Sequence, residues 1–198
     1  MPDFFDVVQR QRAYRAFEPG EVPDDLLNQV LDAATFAPSA ENKQPWVFVV
    51  VKAGPTRKKI AELMRRAWER GARDYEEGRI DGRLLADVER GATGGIGAAP
   101  VIVVVCGDSS DSLEQTLPSS VFPAVQNMLL AATALGLGSA LTTLATTMTK
   151  DLAEILQLPE HVKPMAVVPL GWPARRLGPP KRTPFKEKAH KDSFGRRW

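Results

Sequence analysis

The chain has 198 residues, 43% hydrophobic and 25% charged, with a formal net charge of +2. Such a length is expected to build one domain over 1–198, and the balance of apolar and charged residues excludes a disordered or fibrous chain. No apolar run approaches the roughly 18 residues that cross a bilayer, and Met1 to Asp6 lacks the basic-then-apolar order of an export signal, so no membrane partner and a cytoplasmic location are expected.

Phe4, Phe5, Val7 and Val8 start a short helix. Pro23-Asp24-Asp25 opens a second, in which Leu26, Leu27, Val30, Leu31 and Ala34 recur on one helical face until Pro38 stops it. Trp46 to Val51 is β-branched and aromatic without alternation, which predicts a central strand buried on both faces. Thr56 to about Glu77 reads as one helix with Ile60, Leu63, Met64 and Ala67 on its apolar side. Gly91 to Gly97 reads as loop, and Pro100 to Cys106 as a second strand. Ser119 to Leu135 is the longest apolar helix, closed by Gly136-Leu137-Gly138. Ser139 to Thr143 is a short strand or extended loop, Lys150 to Leu156 a helix and Pro164 to Leu170 a third strong strand.

Beyond Gly171 the prolines at 173, 179, 180 and 184 leave no room for a helix. Nine Lys or Arg between 175 and 197 face only Glu187 and Asp192. This tail lacks regularly spaced stacking aromatics, so no nucleic-acid partner is expected. Helices alternating with three or four strands in mixed order predict an α+β three-layer domain. Residues 174–198 would then form an extended arm with no core of its own, lying over a partner subunit.

Chemistry-bearing motifs are scarce. There is no HExxH, CxxC, Walker loop or GxSxG, and His161 and His190 stand outside any cluster, so neither a metal site nor a triad is expected. The single cysteine, Cys106, sits inside an apolar strand and reads as a small buried residue. Gly95-Ile96-Gly97 does not lie between a strand and a helix in the order a dinucleotide site needs. What remains is a scaffold with separated arginines and a polar loop, suited to a cofactor that does its own chemistry.

Gln11-Arg12-Ala13-Tyr14-Arg15-Ala16-Phe17, followed by Pro23 and by Ala37-Pro38-Ser39 through Gln44-Pro45-Trp46, resembles the N-terminal signature of the nitroreductase family. Gln126 to Ala132, Ala134 to Gly138, Pro169 to Pro173 and Lys181-Arg182 resemble its later blocks, in order and over nearly the full length. The resemblance implies a three-layer α/β/α nitroreductase-like fold with a mixed, mainly antiparallel sheet and a C-terminal arm exchanged in a homodimer. It also implies FMN at the subunit interface, NADH or NADPH as co-substrate and a nitroaromatic, quinone or other small planar electron acceptor, in a ping-pong cycle through flavin N5. No side chain need be catalytic.

By the same resemblance Arg12 and Arg182 bind the phosphate, where forked permanent cations suit a dianion, with help from the backbone N–H groups of Arg12 and Ala13. Arg15 approaches the N1/O2 edge of the flavin, Leu141, Thr142 and Thr143 present backbone groups to N5, and Pro38 and Ser39 touch a flavin held chiefly by the other subunit. Asn42 and Gln44 either fasten their loop or contact the cofactor. Read without the family, the arginines are surface ion-pair partners. Gln11 and Ala13 depart from the usual Arg and Ser, so one phosphate contact is lost or comes from Arg10 or Arg175. The segment 68–97 has no strong counterpart; there Trp68 or Tyr75 covers the flavin, or both pack under their helix. Specialised flavin chemistry (dehalogenation, desaturation, flavin destruction) and a non-catalytic flavin-binding protein are the alternatives.

Overall fold

The computed structural model describes residues 2–52 and 54–198. Among these, four strands form one sheet: β1 (Trp46–Val51), β2 (Val101–Asp108), β3 (Gly138–Ser139) and β4 (Val162–Gly171), in spatial order β1-β2-β4-β3. All three pairings are antiparallel. The parallel component is a lone bridge between Ala13 and Ser139.

Alternation along β2 divides the core in two, because successive side chains of a strand point to opposite faces. Val101, Val103 and Val105 pack with Leu27, Val30 and Ala34 of one helix (Asp24–Thr35) and with Val121, Val125, Met128 and Ala132 of another (Leu117–Ala134). Ile102, Val104 and Cys106 pack with Ile60, Leu63 and Met64 of a third helix (Gly54–Ala67) and with Leu152 of a fourth (Thr149–Leu156). The result is the expected three-layer α/β/α arrangement. In chain order the helices are α1 (Phe4–Arg10), α2 (Asp24–Thr35), α3 (Gly54–Ala67), α4 (Arg73–Glu76), α5 (Gly82–Arg90), α6 (Leu117–Ala134) and α7 (Thr149–Leu156). The two helices of the first layer are tied together by Asn127, whose Nδ2 donates to the Ala33 carbonyl at 3.1 Å.

Three local expectations are corrected. β1 is an edge strand: it pairs only with β2, and Trp46 to Val50 are half-buried or exposed rather than enclosed on both faces. Its unbroken apolar run had suggested the centre, since composition reports burial and not neighbours.

The helix expected from Thr56 to Glu77 ends at Ala67. A wide turn at Trp68–Ala72 follows, and Gly71 at φ 128° takes the chain out of helical geometry before α4 begins. Only glycine enters that region without strain.

The third correction is the loop expected at Gly91 to Gly97, which follows α5; the entry of α5 is capped by Asp81 accepting from the N–H groups of Arg83 and Leu84 at 3.0 Å each. Asp at an N-cap is favoured because its carboxylate takes otherwise unpaired donors. Gly91–Gly95, expected as open loop, winds on directly from α5 as a wide helical turn. In the tail the prolines leave only a 3-10 turn, Phe185–Glu187.

Candidate cofactor site

The segment after α1 runs beside the β3 edge. Tyr14 N–H donates to the Ser139 carbonyl at 2.9 Å, Glu18 N–H to Trp172 at 2.9 Å, and Ala174 N–H to Ala16 at 3.2 Å. Gly138 permits this approach, since a Cβ there would stand 3.1 Å from both Tyr14 and Pro173. The N–H groups of Arg12 and Ala13 have no backbone partner among the described residues. They remain available to an acceptor.

Arg15 leaves this segment into a pocket of 310 Å³. Its lining includes Leu141, Thr142 and Thr143, with Trp68, Tyr75, Val88 and Ile96 as apolar and aromatic wall. Arg15 and the 141–143 segment, 126 or more residues apart, are thus brought to one cavity. Thr142 N–H is committed to the Val167 carbonyl at 3.0 Å. Of the three expected N5 neighbours, Leu141 and Thr143 are therefore the ones whose N–H groups lack a backbone partner among the described residues.

Trp68 and Tyr75 differ. Trp68 is 3% exposed and its Nε1 donates to Glu89 at 3.5 Å, so it packs as part of the wall. Tyr75 is 62% exposed at the pocket rim with the Arg79 guanidinium 4.3 Å over its ring.

A second cleft, 280 Å³, continues on the other side of Arg15 and is lined by Ala13, Tyr14, Ala16, Asp87, Arg90, Arg175 and Leu177. Asp87 lies at its centre of charge. Its Oδ2 accepts from Arg15 Nη1 at 2.9 Å, and its Oδ1 stands 3.0 Å from Arg90 Nη2 and 3.5 Å from Arg175 Nη2. Three guanidiniums share one carboxylate, which leaves an excess of positive charge facing the cleft, as an anionic group requires. Arg12 donates to the carbonyl of Gly178, bringing the start of the tail to the same edge. Arg182 follows four residues on, exposed, its Nη1 bonded to the Lys181 carbonyl at 3.1 Å. Arg10, the other candidate for the missing phosphate contact, is paired with Asp6 at 2.5 Å; Arg175 is the one that lines the cleft.

Pro38, Ser39, Asn42 and Gln44 lie elsewhere. Ser39 Oγ accepts from Gln44 N–H at 3.0 Å, and Ala40 N–H donates to Ser120 Oγ at 3.1 Å. Glu41, Asn42 and Gln44 all adopt left-handed backbone, φ 53°, 54° and 51°. Residues with short polar side chains tolerate that region best. This turn leads into Trp46, which pairs with Gly107, whereas Ser139 pairs with Leu170 and Leu170 with Val101. Six residue steps along β2 separate the two ends, roughly 20 Å at the rise of a strand. The 38–44 loop and Arg15 lie toward opposite ends of the sheet.

Two larger clefts, 420 Å³ each, hold neither Arg15 nor the 141–143 segment: one lies between Glu18–Val22 and Arg57, the other between the 40–43 turn and Ser109–Leu113. No group of His, Cys, Asp and Glu suited to a metal occurs among the described residues. Cys106 is fully buried and desolvation pushes its thiol up to about 12. Sequence reasoning missed Asp87 altogether. Nothing in one acid of a charged helix announces a partner 72 residues away, although the spacing of Gly91 and Gly95 by one turn was a usable sign of close backbone approach.

The family model described as the Nitroreductase family matches residues 8–172. A protein of Methanothermobacter thermautotrophicus, provisionally named NADH dehydrogenase/NAD(P)H nitroreductase, is 32% identical over 179 residues, covering 89% of this chain and 80% of the relative. An iodotyrosine deiodinase of Haliscomenobacter hydrossis is 30% identical over 183 residues, covering 87% and 80%. The crystal structure of a provisionally named nitroreductase from Desulfovibrio desulfuricans, solved in complex with FMN, superposes with a TM-score of 0.76 at 25% identity over 98% of this chain and 99% of that one.

Proposed function

The chain belongs to the nitroreductase family, and from that premise we propose that it is an FMN-dependent oxidoreductase passing electrons from NADH or NADPH to a small planar acceptor such as a nitroaromatic or quinone. The observation that carries this reading is the convergence of Arg15 and the 141–143 segment on one 310 Å³ pocket. FMN, when bound, supplies the chemistry by taking a hydride at N5 and giving it up to the acceptor.

The residues present fit such a group. Arg15 offers a permanent cation to the N1/O2 edge, where negative charge grows on reduction. Leu141 or Thr143 offers an N–H toward N5. Arg12, Arg175, Arg182 and the N–H groups of Arg12 and Ala13 hold the phosphate, with Arg175 standing in for the cation that Gln11 lacks. Trp68, Val88 and Ile96 keep water from one side of the pocket, and Tyr75 closes its rim.

Since Pro38 and Ser39 lead into Trp46, at the end of the sheet roughly 20 Å along β2 from the Ser139 edge that Arg15 follows, they serve the same kind of cofactor site only if a second copy supplies them. The proposed state is a homodimer, with residues 174–198 as the arm over the partner. A second reading, reductive dehalogenation of a planar aromatic, is favoured by the 30% identity to an iodotyrosine deiodinase.

Purified protein reconstituted with FMN is expected to show the two absorption bands of oxidised flavin, to bleach under anaerobic NADH or NADPH, and to sediment at twice the 21.7 kDa chain mass. A flavin that binds but stays oxidised with both nucleotides overturns the NAD(P)H reductase reading. A halogenated phenol oxidising the reduced flavin with halide release, where quinones do not, selects the second.

A further inference from the structure

Three residues of the segment 87–95, which lies outside the motifs that carry the family resemblance, follow Arg15 along its length. The Asp87 carboxylate receives its Nη1 at 2.9 Å and is its only side-chain partner among the described residues. Both side chains are largely buried, 22% and 27% exposed, so their attraction is less screened than that of the surface pairs on α3. One turn later, Gly91 lies under the aliphatic stem of Arg15: a Cβ there would be 2.8 Å from Arg15 Cδ. A further turn on, Gly95 lies against the Arg15 backbone, where a Cβ would be 2.1 Å from the carbonyl oxygen. One acid and two glycines at spacing four thus follow the whole length of the residue, from guanidinium to carbonyl.

Such a fit has a cost that argues for use. Glycine in a helical turn is less stable than alanine by about 0.5–1 kcal/mol, and Gly91 keeps ordinary helical backbone, φ −62°. Alanine would suit its conformation, so the space is what the glycine provides. Asp87 Oδ2 takes only one of the guanidinium's five N–H groups; Nε and Nη2 have no hydrogen-bond partner among the described residues.

We propose that Asp87, with Gly91, is a positioning residue that fixes Arg15 in the 310 Å³ pocket and thereby sets the reduction potential of the flavin. This rests on the reading of Arg15 as the cation at the flavin N1/O2 edge. A long flexible Arg held in one rotamer before the charge appears acts without reorganisation, whereas a free one loses most of its effect to water and to rotamer entropy. Two opposed consequences of removing Asp87 are separable by sign. A carboxylate acting only as a nearby negative charge would raise the potential when neutralised. A carboxylate that positions Arg15 lowers it.

The test is the midpoint potential of FMN-reconstituted protein, measured by equilibration with reference dyes, alongside the dissociation constant for oxidised FMN. Asp87→Asn is expected to weaken the preference for reduced over oxidised flavin about tenfold, which is about 30 mV downward for a two-electron couple. Asp87→Glu restores at least half of the shift. Gly91→Ala, which leaves the carboxylate intact and displaces the Arg15 stem, lowers the potential in the same direction and keeps the test available if Asp87→Asn fails to fold. In an Arg15→Ala background neither change has a further effect. A potential that rises or stays fixed in the variants, or a shift that persists without Arg15, overturns the proposal while normal FMN binding leaves the flavin-site reading standing. Absence of FMN binding by the unaltered protein overturns both.

Discussion

The N–H of Tyr14 donates to the carbonyl oxygen of Ser139 at 2.9 Å, and through that bond two segments 125 residues apart in sequence become neighbours at the β3 edge. Arg15 follows Tyr14 and Leu141 follows Ser139 by two residues, so the pocket that both line is a direct consequence of where these backbones meet. Gly95 packs against the Arg15 backbone.

Gly95→Ala should destabilise the fold. Its Cβ would fall 2.1 Å from the Arg15 carbonyl oxygen and 3.1 Å from that of Arg90, both backbone atoms that a side-chain rotation cannot move aside. Overpacking of this kind costs about 1–3 kcal/mol. For a domain of this size that is a fall of about 2–4 °C in Tm per kcal/mol, read by thermal denaturation. A variant melting with the parent would show that the turn relaxes freely.

Phosphate binding is expected to depend on charge at two distant positions. Arg12→Ala and Arg182→Ala should each weaken FMN at least tenfold, about 1.4 kcal/mol or more, since a charge-assisted hydrogen bond contributes about 1.5–3 kcal/mol. Titration of apoprotein by flavin fluorescence quenching checks this. Arg10→Ala, which removes only an exposed i,i+4 pair with Asp6, should leave the dissociation constant within about twofold. If Arg10 matters and Arg12 does not, the phosphate assignment is wrong.

Among the described residues one side-chain hydrogen bond, from Asn127, ties α6 to α2. Asn127→Ala removes the donor to the Ala33 carbonyl, which keeps only the Phe36 N–H at 3.3 Å, at an expected cost of about 0.5–1.5 kcal/mol for the lost hydrogen bond. Chemical denaturation should show a lower midpoint with an unchanged slope. FMN affinity should not move, because Asn127 touches neither cleft lining.

Cys106 gives a pH-dependent expectation with a fixed sign. Burial raises its thiol from 9.0 to about 12 in the folded protein. The folded state therefore holds the proton over a window in which the unfolded state has lost it, so this contribution is intact below pH 9 and is lost as pH rises from about 9 toward 12. Cys106→Ala should flatten the decline of stability in that window. At neutral pH a thiol reagent should label the chain only after denaturation; rapid labelling of the native protein would contradict the burial.

Much of the fold was readable because hydrophobic period and turn residues are local properties. The apolar face of Asp24–Thr35 and the unbroken run Val101–Cys106 are written into neighbouring residues, and the structure places both in the core. The break at Gly71 and the edge position of β1 were not, since one glycine is tolerated in many helices and strand order depends on partners far along the chain.

At the site, the motif residues alone carried the family resemblance and with it pointed to Arg12, Arg15 and the 141–143 segment. Their surroundings came from the folding of distant segments onto one another. That folding brought Arg15 and Leu141 to one pocket, set Ser39 at the other end of the sheet, committed Thr142 N–H to Val167, and gave Arg15 its partner in Asp87. The physical reason is range. A motif encodes the residue types a chemistry needs, whereas an ion pair across 72 positions and a glycine packed against a carbonyl exist only once strands and helices have fixed their distances.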